Sequence, residues 1–179
     1  MTLFTSSFST SIVFLALGLM FLVRRDELNN FVLNFPRSSK LSYIFITIAL
    51  LWFLYRHVSN LSEADFGNYK VLIGTISVGI AIGSFFFVRD FLAVRGLAIL
   101  CLFFSREVLD AAFLEEPQSR LFVVTIIYII VIAALYFGAW PYRMRDFLEW
   151  LYAKELRKKI LGFTFSLIGL VIAGIAFSY

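Results

Sequence analysis

The sequence predicts an all-α fold: a polytopic helical membrane protein with six transmembrane helices in a compact bundle. Hydrophobic residues make up 61% of the 179 positions and the mean hydropathy is +0.89. A water-soluble domain of this size has too little polar surface to cover so much apolar surface. The apolar residues also form continuous runs, which favour helices over the alternating strands of a β-barrel. Short polar segments between the runs indicate the connections of a polytopic protein.

Each apolar run is long enough to cross a hydrocarbon core of ~30 Å as a helix, because about 18 to 20 residues suffice at ~1.5 Å per residue. The predicted spans are residues 4–23, 41–58, 71–88, 91–113, 121–139 and 160–178. The first run has no Lys or Arg before it, whereas a signal peptide has a basic segment there, so we interpret it as a retained span. We expect one integral membrane domain over residues 1–179.

Lys and Arg are distributed unequally between the two sides of this arrangement. Four of the 16 lie near the second and fourth connections, namely Arg56, Lys70, Arg106 and Arg120. The other twelve lie near the first, third and fifth connections: Arg24, Arg25, Arg37, Lys40, Arg89, Arg95, Arg143, Arg145, Lys154, Arg157, Lys158 and Lys159. Cytoplasmic loops are enriched in Lys and Arg. We therefore expect a prokaryotic inner-membrane protein with both termini outside the cytoplasm.

The fourth span is the least regular, because Arg95, Arg106, Glu107 and Asp110 interrupt it. An interfacial or re-entrant segment is the alternative. If residues 91–113 did not cross, however, the basic connection 142–159 would share a side with the acidic loop that contains Glu63 and Asp65. The positive-inside bias therefore favours six crossings.

Two connections have the apolar periodicity of helices that lie on a membrane surface. The first covers about residues 26–35 and has an apolar stripe of Leu28, Phe31, Val32 and Phe35. The second covers about residues 141–156, with Pro141 in its first turn and a stripe of Met144, Phe147, Leu148 and Leu151. Its basic residues predict contact with anionic lipid: Arg143, Arg145, Arg157, Lys158 and Lys159. A docking site for a cytoplasmic partner is the alternative.

Small residues at four-residue spacing predict where helices approach closely. The third span has Thr75, Gly79 and Gly83. The fifth has Ala134 and Gly138, and the sixth has Gly169 and Ala173. These stripes favour packing within the chain, and contact with a second copy or a partner is the alternative.

Polar residues at similar depth in the outer half of the membrane form a candidate site: Arg56, His57, Arg106, Glu107, Asp110, Thr125 and Tyr128. Charged residues inside a membrane are costly and usually have partners. Arg106 and Asp110 are one turn apart and can pair. The positive charges of Arg56 and Arg106 would balance the negative charges of Glu107 and Asp110, as a buried structural network requires. The functional alternative is the mouth of an ion, proton or small-anion path.

The sequence predicts a non-enzymatic integral subunit, or an assembly or scaffold component, of a larger membrane complex. A small oligomeric channel or transporter that uses the charged cluster is the first alternative, and a membrane enzyme acting on a lipid is the second. The lone His57 and the single Cys101 do not supply a metal-ligand set, and no cofactor is predicted. The expected partners are membrane lipids and other membrane subunits, or a second copy. Nucleic acid is not expected, because the cations lie between apolar runs.

Overall fold

The computed structural model describes residues 2–23, 25–62 and 66–179, and within these ranges the chain is helical with no strand. The eight α-helices are α1 (Leu3–Leu22), α2 (Asp26–Asn34), α3 (Ser39–Phe53), α4 (Lys70–Phe87), α5 (Leu92–Ala112), α6 (Arg120–Ala139), α7 (Pro141–Tyr152) and α8 (Glu155–Ala176). Single 3₁₀ turns cover Phe35–Arg37 and Gly67–Tyr69, and a π-helical turn covers Leu54–Val58. Arg24, Glu63 and Asp65, whose charges contributed to the predicted orientation, lie outside the described residues.

In the described part of the chain, five helical segments are long and apolar enough to cross a membrane, which indicates a membrane protein. They are Leu3–Leu22, Ser39–Val58, Gly67–Phe87, Arg120–Ala139 and Glu155–Ala176. Helix α5 is also 21 residues long. Its four charged residues make it less apolar than these five segments, and it is not among them. The sixth crossing therefore stays a prediction.

Helices α1 and α8 pack in an antiparallel pair with their backbones in close approach. A Cβ atom at Gly18 would lie 2.7 Å from the Ser166 backbone nitrogen, and one at Gly162 would lie 3.0 Å from the Gly18 carbonyl oxygen. At the other end of the pair, Phe4 and Phe8 contact Phe177. The absence of side chains at the two glycines is what allows this separation.

The face of α1 that meets α8 consists largely of serine and threonine. These residues were not among the predicted packing stripes. Ser6, Ser7, Thr10 and Ser11 are almost completely buried. The Ser6 hydroxyl donates to the Leu3 carbonyl oxygen at 2.9 Å, and the Thr10 hydroxyl donates to that of Ser6 at 2.7 Å. Bonding within the helix satisfies these two hydroxyls without a partner on α8.

Helix α5 runs parallel to α3. Gly96, near the start of α5, lies against Phe45 in the first half of α3, where an added Cβ atom would be 2.9 Å from that of Phe45. Farther along both helices, Glu107 bonds Arg56. The contact order is the same along both helices, from their first halves to their ends. The two helices therefore lie side by side and parallel over most of their length.

Helix α6 lies antiparallel to α5. A Cβ atom at Gly138 would be 3.3 Å from that of Ala98, near the start of α5, while Val108 near its end packs with Val123 and Ile127. The buried apolar cluster around these three side chains also includes Phe14 of α1 and Ile172 of α8. It therefore joins the α1–α8 pair to α5 and α6.

Helix α4 is the least embedded: none of its residues is buried. It contacts α3 near its two ends. Near its start, a Cβ atom at Gly74 would lie 3.6 Å from Leu54. Near its end, the rings of Phe85 and Tyr43 stack with centroids 4.6 Å apart.

Helices are present as α2 and α7 where the two surface helices were predicted, and they contact each other. Their location on a membrane surface stays a prediction. Val32 is the buried residue of α2, and Leu148 and Leu151 are buried in α7. Helix α7 ends at Tyr152 rather than near residue 156, because extended backbone at Lys154 (φ −134°, ψ 122°) separates it from α8. The basic segment that was assigned to the surface helix therefore forms the first turn of α8.

Candidate polar site at the end of α3

The π-helical turn at the end of α3 carries two residues of the predicted site, Arg56 and His57. The Ser59 backbone N–H donates to the Leu54 carbonyl oxygen at 2.9 Å, a bond between residues five apart. Such turns insert one residue into a helix and occur often at functional sites. No residue pattern in the sequence predicted this turn.

Arg56 and Glu107 form a two-point ion pair between α3 and α5. Arg56 Nε donates to Oε1 at 2.7 Å, and Nη2 donates to Oε2 at 3.0 Å. The Glu107 side chain is 10% exposed and that of Arg56 is 49% exposed. Both residues belong to the predicted cluster, but their pairing was not predicted. The planar guanidinium group matches both carboxylate oxygens, which makes this a strong form of ion pair.

Arg106 and Asp110 form the ion pair expected from their spacing, with Nε and Oδ2 3.6 Å apart. Their side chains are 60% and 66% exposed. This pair is therefore open to the surroundings of the chain, whereas Glu107 of the neighbouring pair is enclosed. Two ion pairs thus lie near the end of α5, and only one of them is covered by the chain.

His57 lies between two aromatic rings. Its ring is 5.5 Å from that of Phe53 and 5.3 Å from that of Phe103, centroid to centroid. Its Nδ1 atom is buried and has no hydrogen-bond partner within the described part of the chain. The relay role considered for His57 stays a prediction, with no hydrogen bond from its Nδ1 atom to a group of the described chain.

Thr125 and Tyr128 do not join the cluster. Helix α6 turns Val123 and Ile127 inward, and Thr125 and Tyr128 lie on its exposed face. The Thr125 hydroxyl donates to the Leu121 carbonyl oxygen of its own helix at 2.8 Å. No hydrogen bond or ion pair joins these two residues to the rest of the cluster in the described chain, because matching depth along a helix axis does not fix the side that faces the neighbours.

A recess of about 410 Å³ opens beside the covered ion pair. Trp52, Tyr55, Arg56 and Glu107 line it. The half-exposed guanidinium group of Arg56 retains N–H groups beyond the two that bond Glu107. The site could accept a small hydrogen-bonding group there, and it shows no nucleophile activated by a base.

Two of the three predicted packing stripes lie at helix contacts. Ala134 is buried, and Gly138 lies against Ala98 of α5. Gly169 faces α1, where an added Cβ atom would be 3.0 Å from the Leu15 backbone nitrogen, and Ala173 is partly buried.

The third stripe, on α4, makes no close contact with the rest of the described chain. A Cβ atom at Gly79 would meet nothing within 4 Å, and one at Gly83 would meet only Phe87 of the same helix. Thr75 is exposed, and its hydroxyl donates to the Val71 carbonyl oxygen. The packing within the chain that was expected at this stripe is therefore not formed, and contact with a partner or second copy stays a prediction.

Four of the five basic residues that were predicted to contact lipid have protein partners: Lys158, Arg157 and Arg145 bond them, and Arg143 lies over the Tyr142 ring. Lys158 is 5% exposed, donates to Asn29 Oδ1 at 3.0 Å and lies over the Tyr152 ring. Burial raises the pKa of that Tyr152 hydroxyl, so the ring facing the ammonium group is neutral at pH 7. Lys158 thus joins α8 to α2 and α7, and its assignment to lipid was wrong.

Arg157 lies over the ring of Trp150, 4.2 Å from its centroid, and donates to that residue's carbonyl oxygen. Arg145 pairs with Asp146 at 2.6 Å. Arg143 and Lys159 are exposed and stay available to a lipid surface. The basic face is thus narrower than the sequence predicted.

Across residues 2–23, 25–62 and 66–179, no three His, Cys, Asp or Glu side chains lie close enough together to share a metal ion. The cofactor prediction is not tested by this. Comparisons with family models, with curated proteins and with solved structures found no match to the chain.

Proposed function

We propose that this chain is a non-enzymatic integral subunit, or an assembly or scaffold component, of a larger membrane complex, and that it binds a neighbouring transmembrane helix through the outer face of α4. The observation that supports this most is the stripe of Thr75, Gly79 and Gly83, which is open in the described chain. Lipid tails are as apolar as helix side chains, so membrane helices associate where small residues allow close backbone approach. The two other small-residue stripes already have such a contact.

The exposed Arg106–Asp110 pair favours the same proposal. At ~1.5 Å per residue from the middle of α5, Arg106 would lie about 6 Å from the midplane of a membrane that α5 crosses. Charged side chains at that depth usually face protein or water rather than lipid. A neighbouring subunit would cover the pair.

The proposal includes six crossings, a prokaryotic inner membrane and both termini outside the cytoplasm. The alignment of α5 supports the sixth crossing, because α5 runs parallel to α3 and antiparallel to α6. In a six-span chain, α3 and α5 are the second and fourth spans and cross in the same direction. Helix α6 is the fifth span and crosses in the opposite direction. Two of the four charges of α5 are also neutralised within the helix, and Glu107 is neutralised by Arg56.

Gly79→Leu tests the partner interface, with Gly174→Leu as the matched control. A side chain at either position meets no atom of the described chain within 4 Å at its Cβ atom, so neither change introduces a clash in the isolated protein. After native purification in mild detergent, we expect the unmodified chain and Gly174→Leu to retain a stoichiometric membrane protein partner that Gly79→Leu loses. Equal retention by both variants, or a lone chain in every case, would contradict the proposal.

A channel or transporter is the second candidate, favoured by the recess beside Arg56 and Glu107. Glu107→Gln would leave the shape of that recess and remove its negative charge. Under this function, protein in liposomes should pass ions or protons, and the variant should change the flux. No flux across a range of ions and pH values would eliminate it. A lipid-directed enzyme stays the third possibility, which labelled membrane lipids would test through loss of product in Asp110→Asn.

A further inference from the structure

A cleft of about 550 Å³ separates the middle of α4 from α3 and α5. It lies between the two places where α4 contacts α3, at Gly74 and at Phe85. Its size is within the range of about 300 to 1,000 Å³ that is typical of small-molecule sites. Two of the three helices around it, α3 and α4, belong to candidate spans, so its occupant would enter from the membrane.

The lining of the cleft is apolar except for three residues, Ser77, Ser84 and Arg95. Both serine hydroxyls are occupied, because Ser77 donates to the Ile73 carbonyl oxygen and Ser84 to that of Ala81. Ile46, Leu50 and Ile99 are among the apolar residues. A hydrocarbon chain matches such walls, because apolar cavities hold water poorly.

Arg95 is the charged group of the cleft. It is half-buried, and the described chain supplies it with no hydrogen-bond or ion-pair partner. It lies in the first turn of α5, so in the predicted orientation it is near the cytoplasmic leaflet. An unpaired cation at the edge of an apolar cleft is costly without an anion, and no carboxylate of the described chain forms an ion pair with Arg95.

A second, more polar recess of about 710 Å³ adjoins the cleft at Val88 and Arg95, which line both. Its charged residues are Arg89, Asp90 and Arg95, so its formal charge is +1. Arg89 uses its Nε atom to bond the Phe85 carbonyl oxygen, which leaves its two terminal amino groups. Another cation, Arg37, lies over the ring of Phe91 at the same end.

We propose that this cleft binds one anionic phospholipid, with an acyl chain between α3, α4 and α5 and the phosphate group at Arg95 and Arg89. Arginine binds phosphate through two parallel N–H groups, and basic pockets between helices on the cytoplasmic side are typical headgroup sites. The apolar cleft and the net positive recess meet at Arg95, as the two parts of a lipid require. This site is independent of the proposed partner interface. At about 100° per residue, the cleft residues of α4 lie roughly 150° around the helix from the Gly79 face.

The test uses the purified full chain and measures the binding of phosphatidylglycerol by native mass spectrometry in detergent, with phosphatidylcholine as the zwitterionic reference. We expect one phosphatidylglycerol per chain, bound at least about tenfold more weakly by Arg95→Gln, because charge-assisted hydrogen bonds are lost. Lys159→Gln removes an exposed cation that lines neither the cleft nor the adjoining recess, and as the control for general attraction to anionic lipid it should change binding by less than about twofold. Gly79→Leu should bind the lipid as the unmodified chain does.

A second variant, Ala81→Phe, places a ring in the cleft and leaves every cation in place. It should weaken binding of the lipid, and excess inorganic phosphate should not displace the lipid from the unmodified chain. Equal weakening by Arg95→Gln and Lys159→Gln would overturn the proposal, since it would indicate general electrostatic attraction. Equal affinity for phosphatidylcholine, full binding by Ala81→Phe, or displacement by phosphate alone would overturn it as well.

Discussion

The α1–α8 pair and helix α4 both carry small residues at helical spacing, and their surroundings are opposite. Gly18 and Gly162 bring two backbones together, and a Cβ atom at either would lie 3.0 Å or less from a backbone atom. Gly79 faces open space on the surface of the described chain. A stripe of small residues therefore indicates close approach of another helix without identifying that helix. The partner is within the chain at α1 and, in our proposal, outside it at α4.

The largest effect is expected from a side chain at the α1–α8 contact. Gly18→Leu would place atoms where the backbone of α8 lies, and backbone atoms cannot move aside as a flexible side chain does. Overpacking typically costs about 1 to 3 kcal/mol, so we expect a loss at the upper end of that range or failure to fold. Thermal unfolding in detergent measures it, with Gly174→Leu as the control.

If Gly18→Leu unfolded at the same temperature as the control, the close approach of α1 and α8 would be wrong. The contrast between the two regions would then disappear.

The next effect concerns the two ion pairs of α5. Glu107→Gln removes the charge from an enclosed two-point pair and leaves Arg56 without its counterion, while Asp110→Asn alters a pair that is largely exposed. Exposed pairs contribute little to stability. The unfolding temperature should therefore fall clearly for Glu107→Gln and little for Asp110→Asn. The reverse order would indicate that Arg106–Asp110 is the covered pair.

A smaller, local effect is expected at Lys158. Lys158→Met removes the hydrogen bond to Asn29 between α8 and α2, a loss of about 1 kcal/mol. Hydrogen exchange should then increase in α2, residues Asp26–Asn34, while the α1–α8 contact stays protected. Lys159→Met, which changes an exposed neighbour, should leave α2 unchanged. Equal exchange in the two variants would show that Lys158 does not hold α2.

The smallest effect on the isolated chain is expected at the α4 stripe. Gly79→Leu should change the free energy of unfolding by no more than about 0.5 kcal/mol, as surface substitutions usually do. A large loss of stability in the purified monomer would show that this face packs within the chain. Gly79 and Gly18 would then both pack within the chain and would differ only in how closely they pack.

The sequence predicted the helical class, the positions of five of its six spans and helices in two of the connections, because runs and stripes of apolar residues carry that information directly. The stripe of Ser6, Ser7, Thr10, Ser11 and Gly18 was also readable at helical spacing. It was not among the predicted stripes, although serine and threonine that bond their own helix present small surfaces as glycine and alanine do.

Other features depend on three-dimensional placement that no local pattern encodes. The rotation of α6 turned Thr125 and Tyr128 away from the site, although their depth had been matched to it. The π-helical turn sets the position of Arg56, and the pairing of Arg56 with Glu107 joins residues 51 positions apart. Lys158 was assigned to lipid from its charge, and only the proximity of α2 shows its partner.

The most direct test of the account is site-specific photo-crosslinking in native membranes, with the photoreactive residue at position 79 and, as control, at position 174. Both positions are open in the described chain. We predict a discrete protein adduct from position 79 that position 174 does not give. Crosslinks to lipid alone from position 79, or the same adducts from both positions, would contradict the proposal that the outer face of α4 binds a partner.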